Sequence, residues 1–267
     1  MVTGAISEVT VALGGSIGRE AAPQRTGAAA RAFLGQRFGL PLHQRNLLIA
    51  CGAGAGLGAL YNVPFAGALF ALEIYLGTMS IPLVLPALLT SAVATAVSWL
   101  ALPDAAVYTL PKLANPDLSL MVFALLLGPF VGVASALYVR MITRASDQRP
   151  KDRLLLIQPF GVVTALGCLA IAYPLLLGNG VDLAQFAFTG LASLLTLLAL
   201  MVLKPAATSA CLRSGATGGL FTLTLSFGAV VRALAGHLWM TLWPGPNTAS
   251  FALLRAVALL AAAIQAP

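Results

Sequence analysis

Residues 81–102, IPLVLPALLTSAVATAVSWLAL, run without a single ionisable side chain. Coiled as a helix, such a run covers the roughly 30 Å hydrocarbon thickness of a bilayer. Further long apolar runs occupy 118–142, 154–177, 191–211 and 220–242, with a shorter one at 250–264. Only 9% of the 267 residues are charged and 59% are hydrophobic. A soluble domain carries roughly 25% charged residues, and its water-facing surface stays polar however large the core. The solvent for most of this surface is therefore lipid, and the chain reads as an all-α, polytopic membrane protein. Its length allows about ten crossings.

The net charge of +7 does not imply nucleic acid as a partner. The basic residues stand at segment ends, without interleaved aromatics, where they act as interfacial anchors and topology signals. The densest cluster, at 140–153 with Arg140, Arg144, Arg149, Lys151 and Arg153, is expected on the cytoplasmic side. Cys51, Cys168 and Cys211 are dispersed in apolar runs, and His43 and His237 are the sole histidines. That inventory favours neither a disulfide framework nor a metal site, and no cofactor is expected. No basic leader with a cleavage site opens the sequence.

Several segments are short or broken by glycine and proline. Irregular backbone at membrane depth must be covered by protein or line a wet cavity. One break is Gly14-Gly15-Ser16-Ile17-Gly18-Arg19-Glu20-Ala21-Ala22-Pro23; a second is Ser214-Gly215-Ala216-Thr217-Gly218-Gly219-Leu220-Phe221. Residues 50–64 and 253–267 are both small-residue helices ending in Asn/Gln-x-Pro, the mark of an internal repeat. The chain divides on that basis into one transmembrane domain, 1–267, with repeats of about 1–102 and 118–267.

Glu20 is the residue with most chemistry. A carboxylate within a bilayer costs roughly 3 kcal/mol even on the gentlest scale and marks a functional site by default. A helix is expected to start near Ala22-Pro23, and its first N–H groups and positive dipole end favour anions. A carboxylate competing with a permeant anion there is a gate. The competing interpretation is an interfacial Arg19–Glu20 pair at a helix end. The second break has the same design, with a helix beginning near Leu220, and its plain alternative is a helix–loop–helix turn. Glu73, nine residues after Pro64, reads as a structural polar contact. Gly52, Gly54, Gly56 and Gly58 read as close helix packing, not a dinucleotide loop, since no strand precedes them. Gly14-x-Ser16-x-Gly18 matches a hydrolase elbow, but the partners for catalysis are lacking. The chain is not expected to be an enzyme.

At these residues the chain resembles the CLC family of voltage-gated chloride channels and proton–chloride antiporters. Gly18-Arg19-Glu20-Ala21-Ala22-Pro23 is similar to the family's G-R-E-G-P motif. Residues 51–73, CGAGAGLGALYNVPFAGALFALE, resemble its small-residue helix, Asn-x-Pro break and following helix. Ser214 to Phe221 is similar to its S-G-x-x-G-G-x-F stretch. The resemblance implies an inverted-repeat helical bundle with broken and re-entrant helices, one pore per subunit, and a homodimer. It implies Glu20 as gate and proton relay. Backbone amides of Gly18, Arg19 and Ala21 would surround an outer anion site, and those of Gly219, Leu220 and Phe221 a central one. Chloride is then the transported ligand, and the location is a multi-pass protein of the cell (plasma) membrane.

Five departures stand out. The family's proline after the gating glutamate is Ala22 here, and the one that often ends the second motif is Leu223. The inner proton acceptor of the antiporters is Ile74. The resemblance also places a G-S-G-I-P segment before residue 1, and final helices with a pore tyrosine after Pro267. The alternatives are a proton-uncoupled transporter, one that prefers nitrate or fluoride, and a truncated remnant that does not transport.

Overall fold

The computed structural model describes residues 2–109, 118–150, 154–190 and 192–243, together with 260, 261 and 263. Among these residues the regular structure is helical, with no strand. In order it comprises α1 (Val2–Ala12), α2 (Ala21–Arg37), α3 (Leu42–Tyr61), α4 (Pro64–Phe70), a π-helical turn (Ala71–Leu76), α5 (Ile81–Ser98) and α6 (Leu118–Asp147). Then follow α7 (Leu154–Ala172), a 3-10 turn (Pro174–Leu176), α8 (Val181–Thr189), α9 (Leu194–Arg213) and α10 (Phe221–Leu242). The last helix expected at 250–264, and with it the second Asn/Gln-x-Pro copy, lies outside the described residues except at 260, 261 and 263. So do residues 110–117, and residues 151–153 of the basic cluster.

Four described helices are long and apolar enough to cross a membrane: α5, the 121–147 part of α6, α9 and α10. That is fewer than the ten crossings that length allows. On α5, Ile81, Leu85, Leu89, Val93 and Val97 are all exposed at four-residue spacing. Residues so spaced share one helix face. A stripe of that kind is at home in lipid rather than water. The protein is a multi-pass integral membrane protein.

Contacts divide the chain into two compact units, one of residues 1–8 and 19–107, the other of residues 9–18 and 108–267. The division falls at the loop expected between the two repeats. The segment 9–18, however, belongs by its contacts to the second unit.

In the first unit α3 is central, packed by α2, α4 and α5. Its glycines fall on two faces. Gly52 and Gly56 meet the α2 backbone at Gly27 and Pro23; Gly54 and Gly58 meet Gly67 of α4, and Gly58 also Ser91 of α5. A Cβ at Gly54 would stand 2.7 Å from that of Ala71. Helices in lipid gain little from hydrophobic burial against each other, so close backbone approach through small residues supplies the packing. The close-packing interpretation of this glycine run is what the structure shows.

The break after α3 is held by Asn62, which sits in the left-handed region at φ 56°. Its Nδ2 donates to Asp104 Oδ1 at 2.6 Å, and its Oδ1 accepts from Trp99 Nε1 at 2.9 Å. Asn62→Ala loses both bonds and adds left-handed strain, about 2 kcal/mol in all. Asn62→Gly loses the bonds without the strain. Thermal unfolding in detergent is expected to rank wild type above Gly above Ala.

In the second unit the core gathers Leu176, Leu183, Phe188, Leu197, Leu200, Phe227 and Val230 from the 3-10 turn, α8, α9 and α10. Ile17 of the first glycine break joins the same core. α8 is a nine-residue helix bounded by left-handed glycines, Gly180 and Gly190.

Candidate functional site

The two glycine breaks meet in the second unit. After α1 the chain turns at Gly14 (φ +90°), and Gly15 N–H donates to Thr10 O at 2.9 Å. After α9 it turns at Gly215 (φ +99°), with Ser214 Oγ donating to Cys211 O at 2.8 Å and Ala216 N–H to the same oxygen at 3.1 Å. The turned segments then pair. Gly18 N–H donates to Gly219 O and Gly219 N–H to Gly18 O, each at 2.8 Å, forming an isolated antiparallel bridge.

That bridge changes part of the sequence reading. The Gly18 and Gly219 amides, expected to face an anion, are engaged with each other, because each buried amide takes the nearest available carbonyl. They tie the two breaks together. Beyond the bridge the chain enters α2 at Ala21 and α10 at Phe221. First-turn amides lie outside a helix's own hydrogen-bond ladder. The α2 start falls at Ala21, slightly earlier than expected, so Pro23 sits within the first turn instead of opening it.

Gly218 explains why the second break needs its glycines. A Cβ there would stand 2.8 Å from Ile17 Cβ and 3.0 Å from Gly18 O. Ile17 is fully buried and has no room to retreat. Gly218→Ala is expected to push the bridge apart at about 1–3 kcal/mol. The signature is a lowered unfolding midpoint.

Glu20 is 2% exposed and is the N-cap residue of α2, with αR backbone angles. Its side chain makes no capping hydrogen bond to that helix. The burial places it inside protein.

Glu73 and Ile74 lie on the π-helical turn. Such turns are rare and are frequent at functional sites. Glu73 was expected to make a structural polar contact, yet its Oε1 is buried with no hydrogen-bond partner. In the first unit a cavity of about 760 Å³ is lined by Ala21, Gln24, Arg25, Asn46, Tyr75 and Leu76, among others. Tyr75 Oη donates to Gln24 Oε1 across it at 3.1 Å. The cavity therefore reaches the residues that follow Glu20 and Ile74. Ser16 of the hydrolase-like elbow is fully buried, with Oγ 3.3 Å from Thr208 Oγ1. That geometry is a packing contact and not an exposed nucleophile.

Nothing in the motifs points to Lys204, yet it is 2% exposed in the middle of α9. Its signal is simpler: an ionisable residue at the centre of an apolar span.

The chain matches the family model described as voltage gated chloride channel over residues 2–267. It is 34% identical over its whole length to a ClcB-like chloride channel protein of Ralstonia nicotianae, of which it spans 64%. It is 32% identical over its whole length to the voltage-gated ClC-type chloride channel ClcB of Citrobacter koseri, of which it spans 65%. Among solved structures, a slow cyanobacterial Cl−/H+ antiporter shares the fold at TM-score 0.79 and 24% identity, covering 95% of this chain and 64% of the other. A CLC-type fluoride/proton antiporter aligns at TM-score 0.74 and 25% identity, covering 94% and 62%. With the family model matched across nearly its whole length, the chain belongs to the voltage-gated chloride channel family.

Proposed function

We propose that this chain forms the pore region of a transporter or channel that passes chloride or a similar small anion, with Glu20 as its gate. The Gly18–Gly219 bridge is the observation that carries the reading. It ties both glycine breaks together, and from each the chain runs directly into a helix start. Backbone amides there attract an anion without placing a full cation beside it, so binding stays weak enough for the ion to leave. Arg19 and Ala21 supply the amides of an outer site, and Leu220 and Phe221 those of a central one. Glu20 is the single carboxylate between Gly18 and the body of α2. Charged, it competes with the anion; neutral, it does not. The cavity in the first unit offers water a route to that stretch. The chemistry is passage of an ion, without a catalytic nucleophile or cofactor. The setting is the cell membrane, and the assembly a homodimer.

Chloride is favoured as the ion by the names of the relatives. Fluoride is the second reading, supported by the fluoride/proton antiporter among the structural neighbours. The test is flux from liposomes holding chloride, fluoride or nitrate, with proton movement followed at the same time. Chloride efflux above empty vesicles is expected. Absence of flux for all three anions overturns the proposal. Proton movement tied to the anion identifies an antiporter, and its absence a channel, the outcome that apolar Ile74 favours.

A further inference from the structure

Lys204 is buried in α9 with its whole polar end directed at one short stretch of backbone. Its Nζ lies 2.9 Å from Leu176 O, 3.0 Å from Gly178 O, 3.3 Å from Leu177 O and 3.4 Å from Leu175 O. A carbonyl oxygen only accepts, so a nitrogen facing four of them must donate. An ammonium has three N–H groups, all of which are used here. Four consecutive carbonyls turn toward this one nitrogen. Without it they would be clustered partial negative charges in a medium that screens poorly.

The gathered stretch leads to the glycine break. Gly178 turns the chain at φ +66°, and its N–H donates to Gly14 O at 3.2 Å. Leu177 packs on the same Gly14, whose Cα hydrogen side faces Leu177 Cδ2. One turn along α9, Thr208 Oγ1 accompanies Ser16 Oγ at 3.3 Å and donates to Lys204 O at 3.0 Å. The same face of α9 therefore holds residue 14 through Lys204 and residue 16 through Thr208. Gly18, two residues further, makes the bridge to Gly219. All of these groups belong to the second unit.

We infer that Lys204 is a positioning residue for the anion site: it gathers the carbonyls of residues 175–178 and thereby fixes the 14–18 segment that makes the bridge. It touches no permeant ion. It acts by geometry, and by cancelling carbonyl dipoles that would otherwise repel an anion. The inference rests on the anion reading proposed above.

The test compares wild type, Lys204→Met and Lys204→Arg as purified full chains. Chloride affinity is read by calorimetry, folding by size-exclusion profile and melting, and amide hydrogen exchange over residues 14–18 by mass spectrometry. Folded Lys204→Met is expected to bind chloride about tenfold more weakly, the scale on which groups that orient a ligand set act. It is also expected to exchange faster at 14–18, and Lys204→Arg to restore both. A purely structural lysine would lower the melting point and leave the affinity of the folded fraction unchanged. That result, with unchanged exchange, overturns the inference. Should Lys204→Met give no folded protein, Lys204→Gln, which keeps two N–H donors without the charge, takes its place under the same criteria. Wild type that binds chloride beside a folded neutral variant binding it equally well overturns this inference alone. Wild type that binds and moves no anion overturns the anion reading and this inference with it.

Discussion

Glu20→Gln is expected to leave anion flux in place and to remove its dependence on pH. The side chain is buried, and glutamine matches its shape while losing the charge and the proton. If Glu20 gates by presenting a carboxylate to the amides at Arg19 and Ala21, the neutral amide cannot compete, and the site stays open to anions at every pH. Flux measured as a function of pH should then be flat in the variant and rise with acidity in wild type. Any proton movement coupled to the anion should fall to the level of empty vesicles. A variant with the wild-type pH profile would leave Glu20 as a buried structural residue. Glu20→Ala is the companion measurement. It removes the bulk as well, so anion flux at least as fast as in Glu20→Gln is expected from a gate. Slower flux with a lowered unfolding midpoint points instead to a packing role.

The largest expected effect on stability is at the α2–α3 contact. Gly27 and Gly52 face each other so closely that a Cβ on either would overlap the other's backbone oxygen. A Cβ on Gly27 would also stand 2.9 Å from Gly52 C. Backbone cannot step aside as a flexible side chain can. Overpacking a well-filled core costs about 1–3 kcal/mol, and a backbone clash lies at or beyond the upper end. Gly52→Leu is therefore expected to separate α2 from α3 and to abolish the monodisperse peak in detergent. Gly132→Ala in α6 is the control. Nothing stands within 4 Å of a Cβ at that position, and helix propensity there favours alanine by about 1 kcal/mol. Its melting point should equal or exceed that of wild type. Equal melting of Gly52→Leu and wild type would mean that α2 and α3 are not held by these glycines.

Local sequence carried much of this protein because its strongest constraints are local. A run such as 81–102 has no charge to hold it in water, so membrane insertion follows from composition alone. Glycine spacing on α3, at two alternating pairs four residues apart, already specifies two close-packed faces. Asn62 before Val63-Pro64 marks a helix end, since asparagine tolerates the left-handed region and the residue before a proline avoids the helical one. Glu20 is conspicuous for the same reason, as a carboxylate among apolar neighbours beside glycines that free the backbone.

Tertiary structure decided what those elements do for one another. No local pattern shows that Gly18 and Gly219, two hundred residues apart, satisfy each other's amides. Hydrogen-bond partners are chosen by proximity in space, which a single chain does not display. The π-helical turn at Ala71–Leu76 was likewise invisible, because its register depends on how α3 and α5 pack around it. Lys204 is the clearest case. Sequence shows a lysine in an apolar span; only the folded chain shows four carbonyls gathered on its ammonium, because those oxygens come from a turn that precedes it by nearly thirty residues.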